Sequence, residues 1–237
     1  MNRKDNTIFR VTLALFICAF SYRHFTSPGA VSSAFINFPW VRLVEKYMGF
    51  FFLVLPFCSK DSKLRYLGIP LCFFLGFEAF YYFFQLSPLT NILAPFTSSM
   101  RVVFPLIIIF GLRFQKFLIV ACAFTFFGHG WEAILGVGKF IDYLIYTGGL
   151  IGFDGLINES TATILLTIIG ALDIAMASLT FTKYKTKALR FMLFWGLATA
   201  VMRILYFKCN IDGFSEFFFR IPHWIIPLLL LAYKNEQ

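Results

Sequence analysis

The chain has 237 residues, of which 59% are hydrophobic, 20% are aromatic and 14% are charged, and its mean hydropathy is +0.77. A soluble domain carries about 25% charged residues, and a water-soluble fold of this length cannot hide so much apolar surface. The composition therefore excludes a soluble globular protein and indicates an all-α, polytopic membrane protein. The net charge of +9 does not indicate a nucleic-acid partner, because the basic residues are scattered through short loops.

Eight apolar runs are candidates for crossing a bilayer, which takes about 20 residues each. The first run is short, and the fourth begins within a proline-containing stretch, "SPLTNILAPFTSS". We therefore predict a bundle of about eight spanning helices that forms a single transmembrane domain over 1–237. The predicted spans are 7–22, 40–58, 65–85, 95–112, 115–137, 161–182, 187–208 and 214–233.

The loop charges predict which ends of these spans face the cytoplasm, because cytoplasmic loops are enriched in lysine and arginine. Loops at one end are uniformly basic, whereas loops at the other end mix basic residues with acids such as Glu45, Asp154 and Glu159. We expect both termini in the cytoplasm and the protein in the plasma membrane. The residues of the basic end include Arg10, Lys60, Lys63, Arg65, Arg113, Lys116, Lys183, Lys185, Lys187 and Arg190.

The segment 138–159 lies between the fifth and sixth predicted spans and is too short to cross twice. Phe140 and Leu144 recur near helical spacing, opposite Lys139 and Asp142. This pattern predicts one interfacial helix on the outer face, followed by a glycine-rich turn. A re-entrant segment is the alternative.

Ionisable residues inside the apolar runs are the candidates for function, since such residues are rare in membranes and usually face the bundle interior. A rise of about 1.5 Å per residue places six of them about 6 to 13 Å below the outer ends of the spans, and a seventh near the midplane. We predict one polar pocket in the outer half of the bilayer. Its residues are His129, Glu132, His223, Arg220, Arg203, Glu78, Asp173 and Glu216.

The stretch "FFGHGWEA" carries the centre of this pocket. His129 and Glu132 are three residues apart and share a helix face, as Glu216, Arg220 and His223 do on the last span. The glycines on both sides of the histidine let a neighbouring helix or a ligand approach its backbone closely. We expect the two histidines to exchange protons or contact a ligand. The two arginines would hold an anionic group or neutralise the acids. Glu132 and Glu78 would accept protons or orient the histidines, and Asp173 would be the deepest proton-binding group.

Several functions fit such a pocket. The first is binding or transport of a small polar or amphipathic ligand, for example a lipid. The second is an enzyme for a lipid-phase substrate, with a metal held by His129, Glu132 and His223, or with a haem between the two histidines. The third is an accessory or assembly subunit that binds another membrane protein. A purely structural network, in which Glu132 pairs with Arg203 or Glu216 with Arg220, is a fourth reading, and the sequence identifies no cofactor.

Overall fold

The computed structural model describes residues 3–59, 62–85, 89–153 and 155–234. Lys60 and Asp154, which contributed to the loop charges, lie outside these ranges. Every regular element within the described residues is helical, which confirms the all-α prediction. The α-helices are α1 (Arg3–Thr26), α2 (Ala30–Ala34), α3 (Pro39–Phe52), α4 (Gly68–Gln85), α5 (Ala94–Thr97), α6 (Ser99–Val103), α7 (Ile107–Phe110), α8 (Gln115–Ile134), α9 (Gly138–Leu150), α10 (Glu159–Leu179), α11 (Lys185–Tyr206), α12 (Ile211–Phe219) and α13 (Ile221–Lys234). Short 3-10 helices occupy Leu55–Phe57, Lys63–Leu67, Leu89–Leu93, Phe104–Leu106 and Gly111–Phe114.

Six helical stretches in the described part of the chain are long and apolar enough to cross a membrane, against the eight predicted spans. The predicted span 40–58 is shorter in the structure, because α3 ends after 14 residues and Pro56, which has no N–H to donate, follows in a 3-10 helix. Most residues of the predicted spans 95–112 and 115–137 belong to one stretch of 36 residues. The six stretches are Asn6–Ala34, Lys63–Gln85, Ser99–Ile134, Glu159–Leu179, Lys185–Tyr206 and Ile211–Tyr233.

The 36-residue stretch is folded back on itself at Gly111. This residue has φ 58° and ψ −157°, a conformation that favours glycine. On either side of it the chain runs in opposite directions, since Met100 N–H donates to the Thr125 hydroxyl at 3.0 Å while Thr97, three residues earlier, packs against Gly128, three residues later. The segment from α5 to α7 and helix α8 therefore form an antiparallel hairpin. Pro95 and Pro105 divide the first arm of the hairpin into short helical pieces.

Helix α1 contributes several of the buried side chains of the core. Its buried phenylalanines recur at helical spacing, and Phe16 contacts Phe104 edge-on at 5.5 Å and Phe219 face-on at 5.4 Å between ring centroids. Large apolar side chains are also exposed on the outside of the bundle, for example Phe73 and Phe194, which are 75% and 70% exposed. A bundle that is apolar inside and outside fits an integral, multi-pass membrane protein.

Two further elements shape the pocket region. Helix α9 forms within the predicted interfacial segment, between glycines with positive φ at 136 and 152, and it packs against α10 and α11. The last predicted span is not a straight helix. It breaks at Arg220 between α12 and α13, since Pro222 cannot donate a hydrogen bond to the carbonyl four residues earlier.

Candidate ligand cavity

Two adjoining cavities lie where α8, α11 and the junction of α12 with α13 meet. The larger one, here named the arginine cavity, has a volume of about 420 Å³. The smaller one, named the inner pocket, has a volume of about 80 Å³ and mainly apolar walls. The charged residues of the arginine cavity are Arg23, Arg101, Arg203, Arg220, Lys139, Glu78, Glu132 and Glu216. The two cavities share a wall formed by His129, Phe140, Tyr143, Arg203 and Arg220.

The glycines on both sides of His129 let neighbouring elements approach its backbone closely, as the sequence predicts. A Cβ atom on Gly128 would lie 2.9 Å from the Thr97 backbone nitrogen. A Cβ atom on Gly130 would lie 2.7 Å from the Gly170 carbonyl oxygen. Any side chain at either position would therefore push away the hairpin arm or α10, and the close packing holds the imidazole between them.

His129 is the centre of a hydrogen-bonded group. Its Nδ1 lies 2.7 Å from Glu132 Oε2, and its Nε2 lies 3.4 Å from Arg220 Nη1 and 3.3 Å from His223 Nε2. A guanidinium can only donate, so Nε2 of His129 accepts and Nδ1–H donates to the carboxylate. His223 must then donate from its own Nε2, which leaves its Nδ1 as an acceptor.

The arginine cavity carries an excess of positive charge. Five cationic side chains face three carboxylates across its walls. Glu216 is shared between Arg23, at 3.5 Å, and Arg203, at 3.9 Å. Within the described residues, neither Arg101 nor Arg220 forms an ion pair with a carboxylate. The cavity therefore offers guanidinium groups with unused donors to an anion.

Glu78 faces the same cavity, but its carboxylate is already engaged by a histidine. His24 Nε2 lies 2.9 Å from Glu78 Oε1, while His24 Nδ1 lies 2.9 Å from the Phe20 carbonyl oxygen. The carbonyl can only accept, so Nδ1 carries a hydrogen. The contact to Glu78 then requires one more proton, either on His24 or on the carboxyl group. The pair as a whole is neutral, so Glu78 does not offset the arginines.

The inner pocket contains buried polar atoms that lack partners. Asp173 is 4% exposed and His223 is 3% exposed. Asp173 Oδ1 and His223 Nδ1 have no hydrogen-bond partner among the described residues. Both side chains line the inner pocket. Buried polar atoms of this kind are normally paired with protein or with ordered water.

Each of the eight predicted residues lines at least one of the two cavities, although their role stays a prediction. Six of them line the arginine cavity, while Asp173 and His223 line only the inner pocket. Glu216 and His223, which the sequence places on one helix face, line different cavities, and the break at Arg220 lies between them. Neither Glu132 with Arg203 nor Glu216 with Arg220 is an ion pair of the described residues.

The sequence analysis missed three residues of this region. Arg23 and His24 follow the predicted first span, which ends at 22, whereas α1 continues to Thr26. Arg101 interrupts the fourth predicted apolar run, so the criterion that selected the other residues would have found it.

The geometry does not favour a metal or haem site at the histidines. The part of the chain that the structure describes contains no group of three or more His, Cys, Asp or Glu side chains placed to hold a metal ion. The rings of His129 and His223 contact each other directly, with centroids 5.4 Å apart, which leaves no room for a porphyrin between them.

Comparisons with protein-family models, with curated proteins and with solved structures find no match for this chain. The function must therefore be argued from the site itself.

Proposed function

We propose that the protein binds a small anionic ligand, polar or amphipathic, in the arginine cavity. The observation that carries this proposal is the positive excess of the cavity, where Arg101 and Arg220 face the space without a carboxylate partner among the described residues. Removing a guanidinium from water costs several kcal/mol unless an anion compensates it. A phosphate, sulfate or carboxylate group accepts hydrogen bonds from guanidinium groups in the geometry that arginine offers.

The size and position of the cavity fit a ligand of this class. Its volume of about 420 Å³ lies within the range of small-molecule sites, about 300–1,000 Å³. The shared wall joins a charged space to an apolar one. An amphipathic anion can thus place its charged group among the arginines and part of its apolar body against Phe140 and the inner pocket.

The proposal includes a topology in which the chain crosses the plasma membrane about eight times, with both termini in the cytoplasm and the arginine cavity in the outer half. The hairpin at Gly111 supports two passes within one helical stretch. Helix α3 packs against α1 and, together with the 3-10 helix Leu55–Phe57 that follows it, supplies a short additional pass. Helix α9, at 13 residues, is too short to span and would lie at the outer surface.

The proposed partners are the lipid bilayer and a small anionic ligand, lipid or soluble. An enzyme or an accessory subunit would be supported by a reactive side chain or by a partner surface. The described residues offer no specific observation for either one. Anion binding is therefore the function that the site supports best.

The test is anion-dependent thermal stabilisation of the purified protein in nanodiscs. The probes are inorganic phosphate, citrate and dodecyl phosphate, with dodecanol as the uncharged analogue. A ligand present at 100 times its Kd stabilises a folded protein by about 2.7 kcal/mol. We expect stabilisation by at least one anion, loss of that effect in Arg220→Gln, and full retention in Arg190→Gln, an exposed arginine of α11 that lines neither cavity.

Three results would contradict anion binding in this cavity. They are the absence of stabilisation by any of the anions, equal stabilisation of wild type and Arg220→Gln, and an equal effect of dodecanol. A response to dodecyl phosphate without a response to phosphate or citrate would identify the ligand as amphipathic.

A further inference from the structure

We propose that a proton path runs from Asp173, a buried acid of α10, through the inner pocket to Glu132 in the arginine cavity. This inference rests on the proposed function only for its destination, since the arginine cavity is the space from which the path exchanges protons. The path would allow Asp173 to be protonated and deprotonated reversibly from the arginine cavity.

Asp173 Oδ1 and His223 Nδ1 are both buried in the inner pocket and have no partner among the described residues. Leaving a buried polar atom unsatisfied costs about 1–3 kcal/mol, so two such atoms in one pocket need an explanation. The pocket has a volume of about 80 Å³, which is room for several water molecules. Water is the ligand that can donate to both atoms and connect them.

The hydrogen-bond directions beyond His223 form a continuous chain. His223 donates from Nε2 to His129 Nε2 at 3.3 Å, and His129 donates from Nδ1 to Glu132 Oε2 at 2.7 Å. Every link points outward, from the inner pocket to the arginine cavity. The acceptor Nδ1 of His223 is therefore the end of the chain that faces Asp173 through the pocket.

A proton can leave Asp173 along this chain with every bond balanced. The carboxyl O–H of Asp173 breaks as a pocket water accepts its proton, and the water passes a proton to His223 Nδ1. His223 then releases its Nε2 proton to His129 Nε2, and His129 releases its Nδ1 proton to the Glu132 carboxylate. Glu132 finally loses a proton to water in the arginine cavity. Both imidazoles end neutral in the opposite tautomer, and uptake by the reverse route restores the starting state.

The surroundings of Asp173 make this exchange dependent on the path. The indole of Trp195 lines the same pocket, and the titratable or charged side chains that line it with Asp173 are His129, Tyr143, Arg203, Arg220 and His223. Arg203 donates to the Thr199 carbonyl oxygen and lies near Glu216, so its charge is directed toward α11 and the arginine cavity. Within the described residues, His223 is the pocket-lining group with an unpartnered nitrogen acceptor.

The experiment is infrared spectroscopy of the purified protein in nanodiscs, without any added anion. It follows the carbonyl stretch of a protonated carboxyl group and its shift on transfer from H₂O to D₂O. We expect a protonated-carboxyl band that is lost in Asp173→Asn. We also expect its hydrogen–deuterium exchange to slow by about 100-fold in His223→Gln, the lower range of what a positioned proton-transfer group contributes.

Two further variants keep the test independent of folding. His129→Gln interrupts the same path one step further out and must slow the exchange as well. Trp224 is the next residue after His223 and lines neither cavity, so Trp224→Phe must leave the exchange rate as in wild type. The thermal unfolding of each variant is recorded in parallel, and only variants with wild-type unfolding are compared.

The path is overturned if no protonated-carboxyl band depends on Asp173, or if exchange in both histidine variants is as fast as in wild type. Equal slowing in Trp224→Phe would also overturn it. The measurement needs no ligand, so a failure of anion binding leaves its outcome unaffected. Conversely, loss of the path leaves the arginines and their response to anions in place.

Discussion

At the scale of single residues, Glu45 shows how a buried charge can serve the fold instead of a ligand. It is 1% exposed within α3. Its carboxylate accepts hydrogen bonds from the backbone N–H groups of Gly29, Val31 and Ser32 and from the Ser32 hydroxyl. The sequence analysis counted Glu45 among the outer loop charges. Its actual role, to hold the turn after α1, depends on a tertiary contact that local patterns do not reveal.

We predict that Glu45→Ala lowers the free energy of unfolding by about 3 kcal/mol, because it leaves several buried donors without an acceptor. Unfolding by titration with a denaturing detergent measures the change. The control is Glu159→Ala, which removes an exposed acid from the first turn of α10 and should cost about 0.5 kcal/mol. Equal losses in the two variants would show that the carboxylate of Glu45 is not the acceptor on which this turn depends.

The site residues could be predicted as a set, but their pairing could not. His129, Glu132 and Arg203 stand out in sequence because ionisable groups in apolar runs are costly and rare. Which acid meets which base depends on helix rotation, and Glu216 pairs with Arg23 and Arg203 rather than with Arg220. The pairing of Glu78 with a histidine at the end of α1 was also hidden, since their contact joins positions 54 residues apart.

At the scale of elements, the apolar periodicity predicted the long helices but not their breaks. The runs that became α4, α10 and α11 carry no internal proline–glycine pattern strong enough to end them, and their predicted bounds lie within a few residues of the structure. The breaks at Gly111 and Arg220 decide the architecture of the site. One creates the hairpin beside α8, and the other lies between Glu216, which lines the arginine cavity, and His223, which lines the inner pocket.

We predict that Gly130→Ala lowers the free energy of unfolding by about 1–3 kcal/mol, which is the usual cost of adding a carbon atom to a site that is already closely packed. The new Cβ would lie 2.7 Å from the Gly170 carbonyl oxygen of α10. Gly138→Ala is the matched control, because its Cβ meets no atom within 4 Å and its φ is not positive. Thermal unfolding compares the two variants. A neutral Gly130→Ala, or an equal effect of Gly138→Ala, would contradict the close α8–α10 contact.

At the scale of the whole molecule, composition alone predicts the membrane class, because it averages over every residue and does not depend on any contact. The class of ligand cannot be predicted from composition. It depends on how arginines from α1, α6, α11 and the α12–α13 junction surround one space, and no local sequence pattern shows that they meet there. The number of passes is harder to predict than the membrane class and easier than the ligand. It depends on the length of each apolar run, on the loop charges and on whether short helices cross the membrane.

The eight-pass topology makes a prediction that a six-pass topology contradicts. With the N-terminus inside, Ser59 lies on the cytoplasmic side only if α3 crosses, whereas it lies outside if only the six long stretches cross. Ser59, Lys183 and Cys209 are exposed. In a variant with its native cysteines replaced by alanine, we expect Ser59→Cys to resist a membrane-impermeant maleimide on intact cells.

Two reference positions have the same side in either topology. Lys183→Cys should resist the reagent, because it lies between the fourth and fifth long stretches. Cys209, retained alone, should react, because it lies between the fifth and sixth. All three should react after the cells are opened. Labelling of Ser59→Cys on intact cells would remove α3 from the set of spans, and it would place the turn that Glu45 holds on the same side of the membrane as the loop after α3.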